Sequence, residues 1–307
     1  MSSNDKKLIA VIGATGQQGG GVVRALQANG QFKVRALTRD PSKHRELAEE
    51  VVEADLEKPE TLKTAFEGAH GVFLVTNFWA PGGSDELKQA TAAIRAAKDA
   101  GVKHFIWSTL PDVEAISGGK FNVPHFTGKA KIDRLVKEAG FENYSFVIPP
   151  FYYQNLVGVM APQKQTDGPI GWALPLDPTL RVIHMGDIND LGYIVAGAFA
   201  HPDEAGNGQY LPLVGDFMSF NEIAETLNRQ GHNFSYQQVP KESFAGFFPG
   251  ASEISEMLSY WQAHTYLGSD SSDRIALADK IAGREPTRFA TWAEENFPKQ
   301  LNATNGV

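Results

Sequence analysis

Three features of the sequence predict an α/β fold: a doubly wound parallel-sheet Rossmann domain joined to a smaller α+β domain. Apolar strand-like runs alternate with helical periodicity through the first half, no hairpin signal interrupts them, and a glycine-rich loop separates the first strand from the first helix. Residues 8–12 form a continuous apolar run, the pattern of a strand buried on both faces. Val22, Val23, Ala25 and Leu26 give 17–29 a helical face, which Asn29-Gly30 ends. Strands are then expected at 33–38, 51–54, 71–76, 103–107 and 144–148, with helices at 42–50, 58–67, 84–100 and 126–138. Leu87, Ala90, Ile94 and Ala97 share one face of the helix at 84–100.

After Pro149-Pro150 the pattern loosens. One further strand is expected at 181–184 and helices at 190–200 and 221–229, while the aromatic-rich stretch 243–266 reads as partly helical. The expected division is a dinucleotide-binding domain over 1–153, re-entered by about 181–213, and a smaller substrate or partner domain from 154–180 and 214–307. The polar tail at 302–307 is expected to fray.

Composition narrows the function. Of 307 residues, 42% are hydrophobic and 21% charged, enough to bury a sizeable core and to exclude wholesale disorder. A net charge of −8 argues against direct nucleic-acid binding, which needs a basic face. There is no cysteine, so disulfides, thiolate nucleophiles and Cys-ligated zinc drop out. The remaining His residues show no metal-ligand spacing, and no metal is expected. No apolar run is long enough for a membrane span and the start of the chain does not read as a signal, so a cytoplasmic protein is expected. Neither a G-x-x-x-x-G-K-[ST] loop nor a G-x-S-x-G elbow occurs.

The loop Gly13-Ala14-Thr15-Gly16-Gln17-Gln18-Gly19 is a GxxGxxG pattern. Gly13 permits the tight turn, Gly16 admits a pyrophosphate to the backbone, and Gly19 lets helix and strand pack closely. Between a buried strand and an amphipathic helix, the loop reads as a dinucleotide site, with the helix N-terminus facing the phosphates. The end of the second strand selects the dinucleotide. An acid there would hold the 2′-hydroxyl of NAD. This chain instead has Thr38-Arg39 and then Lys43, which suit the 2′-phosphate of NADP(H), unless Arg39 merely pairs with Asp40. Asp55, beside Leu56, either reaches the adenine amine or starts the next helix. Thr76, Asn77 and Phe78 follow the fourth strand, at the sheet edge where such ligands bind, or simply begin a loop.

These residues carry a resemblance. The runs 11–20 and 33–41, with Val75-Thr76-Asn77, Pro124-His125-Phe126-Thr127-Gly128-Lys129, Pro150-Phe151-Tyr152-Tyr153-Gln154-Asn155-Leu156 and Phe248-Pro249-Gly250-Ala251, resemble the NmrA-like family of atypical short-chain dehydrogenase/reductases, most nearly its HSCARG-type NADPH-sensor branch. The resemblance covers most of the chain. It implies an NADP(H)-bound Rossmann domain, a smaller domain, and a cleft between them, with Pro150, Phe151 and Tyr152 near the nicotinamide. Asn155 either adds a polar contact there or caps the next segment.

Where ordinary short-chain dehydrogenases carry Tyr-x-x-x-Lys, this sequence reads His125-Phe126-Thr127-Gly128-Lys129. At i and i+4 on a helix the two polar side chains share a face. Lys129 is a candidate for the nicotinamide ribose and for catalysis, and His125 for proton transfer; alternatively Lys129 only holds the cofactor and His125 only starts a helix. Ser108, after the strand at 103–107, stands where the family's catalytic Ser or Thr lies, or ends a strand. Two functions follow: NADPH-dependent reduction of a quinone, enone or carbonyl, or a non-catalytic NADPH/NADP+ sensor that regulates protein partners. A homodimer is compatible with either.

Overall fold

The computed structural model describes residues 6–165 and 168–298; the tail at 302–307 lies outside the described residues. In chain order the first half runs β1 (Lys7–Val11), α1 (Gln17–Asn29), β2 (Phe32–Thr38), β3 (Glu50–Glu53), α2 (Pro59–Phe66), β4 (Gly71–Leu74), α3 (Glu86–Asp99), β5 (His104–Ser108), α4 (Val113–Ser117), α5 (Pro124–Glu138) and β6 (Asn143–Ile148). The second half continues with β7 (Phe151–Tyr152), β8 (Gln163–Lys164), β9 (Ile170–Leu174), β10 (Ile183–Gly186), α6 (Leu191–Ala200), α7 (Pro202–Ala205), β11 (Asn207–Pro212) and β12 (Asp216–Met218). It ends with α8 (Phe220–Arg229), β13 (Ser235–Gln238), α9 (Lys241–Phe244), α10 (Ala251–His264), α11 (Ser272–Ala282) and α12 (Phe289–Asn296).

Seven strands form one parallel sheet in the order β11-β6-β5-β4-β1-β2-β3. The winding reverses between β1 and β4, the switch point of a doubly wound fold. Alternation within β1 builds both helical layers. Ile9 and Val11 pack with Val22 and Leu26 of α1, Leu191, Ile194 and Phe199 of α6, and Ile281 of α11. Ala10 and Ile12 face the other way, with Leu62 and Phe66 of α2, Ala90, Ala93 and Ile94 of α3, and Ile132 and Val136 of α5. A third core gathers Phe220, Leu227, Leu258, Trp261, Phe289 and Trp292. It is flanked by two three-stranded sheets, β12-β10-β7 and β13-β9-β8, each containing an antiparallel pair.

Two local expectations are corrected. The helix expected at 42–50 is a single 3₁₀ turn, Pro41–Lys43, followed by irregular chain. Leu47 and Ala48 are the only apolar residues of that stretch, too few to bury a helical face. The strand expected at 181–184 is β10, two residues later, and it pairs with β7 and β12 rather than the large sheet. The seventh strand of the large sheet is β11, whose sequence Asn-Gly-Gln-Tyr-Leu-Pro carries no strand signal. It is tolerated because β11 is an edge, where a proline interrupts no second partner.

Candidate functional site

Parallel strands all end on one side, and each following helix begins there, so loop residues and helix N-termini converge on that edge. Gly13 adopts φ +70°, and its carbonyl accepts the Gly16 N–H at 2.9 Å. The turn lays the Gly13 backbone against α1 so closely that a Cβ on Gly19 would lie 2.2 Å from the Gly13 oxygen. Gly16 caps α1 without a side-chain acceptor, and the first turn contains no acid. The first N–H groups of α1, with the positive end of its dipole, are therefore left to an external acceptor beside exposed Thr15 and Gln17.

At the end of β2, Thr38 is buried and Arg39 is exposed. Asp40 does not pair with Arg39. Its carboxylate accepts the Ser42 hydroxyl at 2.5 Å and backbone N–H at 3.2 Å, and meets the Lys43 ammonium at 3.0 Å. Those hydrogen bonds hold its pKa down at about 2. Lys43 is thus committed to Asp40, while the Arg39 guanidinium has no carboxylate partner among the described residues. Asp55 accepts the Glu57 N–H at 3.0 Å and receives the Thr61 hydroxyl on its backbone, which makes it the turn that starts α2. Leu56 packs against the core under α2 and α3.

Beyond β4, Thr76 turns inward and Asn77 outward. The Asn77 side chain accepts the Trp79 N–H at 3.0 Å and thereby shapes the loop that carries Phe78 and Trp79. Lys129 reaches across from α5: its Nζ donates to Glu86 Oε1 at 2.6 Å and to both oxygens of Thr76 at 2.9 Å. The Thr76 hydroxyl in turn donates to Glu86 at 2.5 Å. All three ammonium hydrogens are therefore engaged inside the protein, with the Trp107 ring 5.3 Å from the charge. Burial pushes the Lys129 pKa below the ordinary lysine range, against the opposing pull of Glu86.

One turn earlier on α5, His125 is also buried. Its Nδ1 lies 2.6 Å from Oε1 of Glu253, on α10, and the same oxygen accepts the His125 backbone N–H at 3.1 Å. Burial raises the Glu253 pKa, but the bonds from His125 outweigh it and leave the carboxyl below its ordinary value. The rings of Phe126, Trp79 and Phe78 surround the imidazole at centroid distances of 4.9, 5.3 and 5.7 Å. Trp79 itself is 54% exposed, so one flank of this aromatic group is open to solvent.

A second chain of bonds joins residues singled out in the sequence. The Ser108 hydroxyl donates to Gln18 Oε1 at 2.7 Å, and Gln18 Nε2 donates to the Tyr152 hydroxyl at 2.7 Å. Burial pushes the Tyr152 pKa up to about 12. Pro150 is buried beside Gly186, and Phe151 turns into the third core against Trp261. Asn155 gives its backbone carbonyl to Gly158 and Met160 in a 3₁₀ turn. Glu86, Glu253 and Trp79 were not foreseen. Only the Phe78-Trp79 pair, two aromatics directly after a strand end, carried a usable signal. A groove of about 1010 Å³ runs along the outside of α2 and α3, and none of these residues lines it.

The sequence pattern of the NmrA-like family spans residues 5–294. The chain belongs to the NmrA-like family. A fungal relative, the NmrA-like family domain-containing oxidoreductase FrzB of Cladobotryum, is 34% identical over 76% of this chain and 76% of its own. Among solved structures, NmrA, a negative transcriptional regulator in complex with NADP, aligns with a TM-score of 0.78 at 22% identity over 95% of this chain and 96% of its own. An NADPH-dependent quinone oxidoreductase of Escherichia coli, complexed with NADPH, aligns with a TM-score of 0.75 at 20% identity over 95% and 99%. At these identities the two structures speak for the fold. No helix among the described residues is long and apolar enough to cross a membrane.

Proposed function

We propose that this member of the NmrA-like family is an NADPH-dependent reductase acting on planar carbonyl compounds, quinones or enones. The single observation that carries the cofactor reading is Arg39 at the end of β2, without a carboxylate partner among the described residues and on the same sheet edge as the N-terminus of α1, which has no side-chain cap. The residues present fit the dinucleotide. The cradle at Gly13, Gly16 and Gly19 has no Cβ to bar a pyrophosphate, the first N–H groups of α1 have no side-chain cap, and Arg39, with no carboxylate partner among the described residues, can fork onto a 2′-phosphate.

Bound NADPH supplies a hydride. The chain's own residues do the rest. Lys129, anchored to Glu86 and Thr76, ties the second turn of α5 to the start of α3 and to the chain just beyond β4. The Gln18 bridge ties α1 to β5 and β7 and sets the distance across the edge. Trp79 and Phe78 offer ring faces on which a flat acceptor stacks, a contact worth about 0.5–1.5 kcal/mol per aromatic pair. His125, with Nε2 free of hydrogen bonds among the described residues, supplies a proton to the acceptor oxygen. The oxidoreductase name of the fungal relative and the quinone oxidoreductase among the structural neighbours support this reading.

The test is NADPH consumption with a panel of quinones, enones and aldehydes. Turnover above the protein-free rate, preferring NADPH to NADH and lowered by His125→Asn, is expected. Tight NADPH binding with no turnover on any acceptor would replace the reductase by a cofactor sensor.

A further inference from the structure

The geometry points to Glu253 as a positioning residue that reaches across from α10 to fix the His125 imidazole for proton transfer. This inference rests on the reductase reading above. Helix α5 begins at Pro124, which has no N–H, and the Val123 carbonyl takes the N–H groups of Phe126 and Thr127; with no side-chain acceptor on Val123, the His125 N–H is the one that needs an outside partner. Glu253 supplies it, taking the His125 N–H at 3.1 Å. A cap needs nothing more. The same oxygen nevertheless sits 2.6 Å from Nδ1 of the same residue, so one carboxylate oxygen holds both the backbone and the ring.

The chemical consequence is directional. A carboxylate can only accept, so Nδ1 must carry a hydrogen, and in the neutral ring Nε2 is then the bare, basic nitrogen. When the ring is protonated, the carboxylate balances its charge and Nε2–H becomes the donor. The proton leaves Nε2 for the oxygen of an acceptor whose carbon receives the hydride, and solvent restores it. Packing between Phe126, Phe78 and Trp79 keeps the ring from turning over. The other charges nearby are already committed. Glu256, one turn along α10, meets the Lys241 ammonium at 2.5 Å and accepts the Asn122 N–H, and Lys129 is held by Glu86. Glu253 is the carboxylate that faces the imidazole, and it is carried by α10, whose Leu258 and Trp261 belong to the third core, rather than by either helical layer on the large sheet.

Two readouts test this on the full-length chain. ¹⁵N shifts of the His125 ring, measured without cofactor, should show Nδ1 protonated and Nε2 bare in the neutral form. In Glu253→Ala the ring should revert toward the Nε2–H form, which histidine prefers when free. Glu253→Gln keeps an acceptor for the backbone N–H, so the cap and the fold survive. It should lower kcat about 10- to 100-fold, up to the low end of what a positioned acid contributes, with KM for NADPH within about twofold. In a His125→Asn background the same substitution should change kcat by less than about threefold, because the two residues act as one unit. A wild-type ring in the Nε2–H form, or a tautomer unmoved by Glu253→Ala, overturns the clamp. Equal slowing of wild type and His125→Asn by Glu253→Gln overturns the role in proton transfer. A protein that oxidises no NADPH with any acceptor overturns the reductase reading and that role with it, while the nitrogen shifts still decide the clamp separately.

Discussion

The Nζ of Lys129 lies 2.6 Å from Oε1 of Glu86, and both residues are buried at 8% and 7% exposure. The pair joins the first turn of α3 to the second turn of α5, two helices that pack against the same side of the large sheet. A catalytic lysine in the ordinary sense would keep a hydrogen for the cofactor. Here Thr76 and Glu86 accept all three, so a ribose hydroxyl could be met only by releasing one of these bonds.

Removing either partner leaves an uncompensated buried charge. Lys129→Met or Glu86→Leu should each destabilise the protein by about 3–5 kcal/mol. The double variant Lys129→Met/Glu86→Leu should lose less than the sum, because it leaves no orphan charge. Urea unfolding of the three variants checks this; additive losses would mean that the two groups do not depend on each other.

Cofactor choice is expected to follow Arg39. A charge-assisted contact to a 2′-phosphate is worth about 1.5–3 kcal/mol, so wild type should prefer NADPH over NADH at least about tenfold. Arg39→Ala should abolish most of that preference, whereas Lys43→Ala, whose ammonium already sits on Asp40, should change it less. Calorimetric titration with both cofactors reads the difference.

The glycine loop makes a graded prediction. A Cβ on Gly19 would lie 2.2 Å from the Gly13 oxygen, whereas one on Gly16 would lie 3.3 Å from the same atom. Gly19→Ala must therefore push α1 away from the turn, at a cost of about 1–3 kcal/mol, and should weaken NADPH binding as well. Gly16→Ala should leave the melting temperature nearly unchanged and reduce binding alone. Equal melting temperatures for the two variants would contradict this packing.

Stability should rise with pH across the acidic range, in part because of two buried histidines. Burial holds His104 down at about 3 and His184 at about 4. Between those values and about 6.5 the unfolded chain binds a proton that the folded chain does not, so each ring costs about 1.4 kcal/mol per pH unit as the pH falls through that window. Asp133 works the other way. Burial raises it to about 6, so its folded carboxyl takes up a proton first, and its penalty at neutral pH is relieved toward about 3.9. His104→Gln should flatten the rise of stability between pH 4 and about 6 relative to wild type. An unchanged slope in denaturant titrations would show that His104 is not held neutral.

Much of the architecture was legible because it is written locally. The apolar run of β1, the glycines that force a tight turn and the helical spacing of α1 sit within one stretch, so neither the fold nor the glycine loop needed tertiary information. The polar partners were not legible. Glu86 and Lys129 are 43 residues apart, and His125 and Glu253 are 128 apart, so no period or spacing ties one to the other. The open choice at Arg39 turned on a local rotamer: Asp40 bonds forward to Ser42 and Lys43, a capping interaction that sequence permits but does not require. β11 was missed for the opposite reason. Its residues have poor strand propensity, and pairing with β6 at the sheet edge supplies what propensity does not.

Single-turnover mixing separates hydride transfer from cofactor binding alone. The preformed complex with NADPH is mixed with a planar quinone, and the nicotinamide absorbance is followed. A reductase should show a decay on the bound cofactor that far outpaces the protein-free reaction, slows in His125→Asn, and is weaker when NADH replaces NADPH at equal concentration. An absorbance that stays flat on a demonstrably bound cofactor, with quinones, enones and aldehydes alike, would contradict the reductase reading.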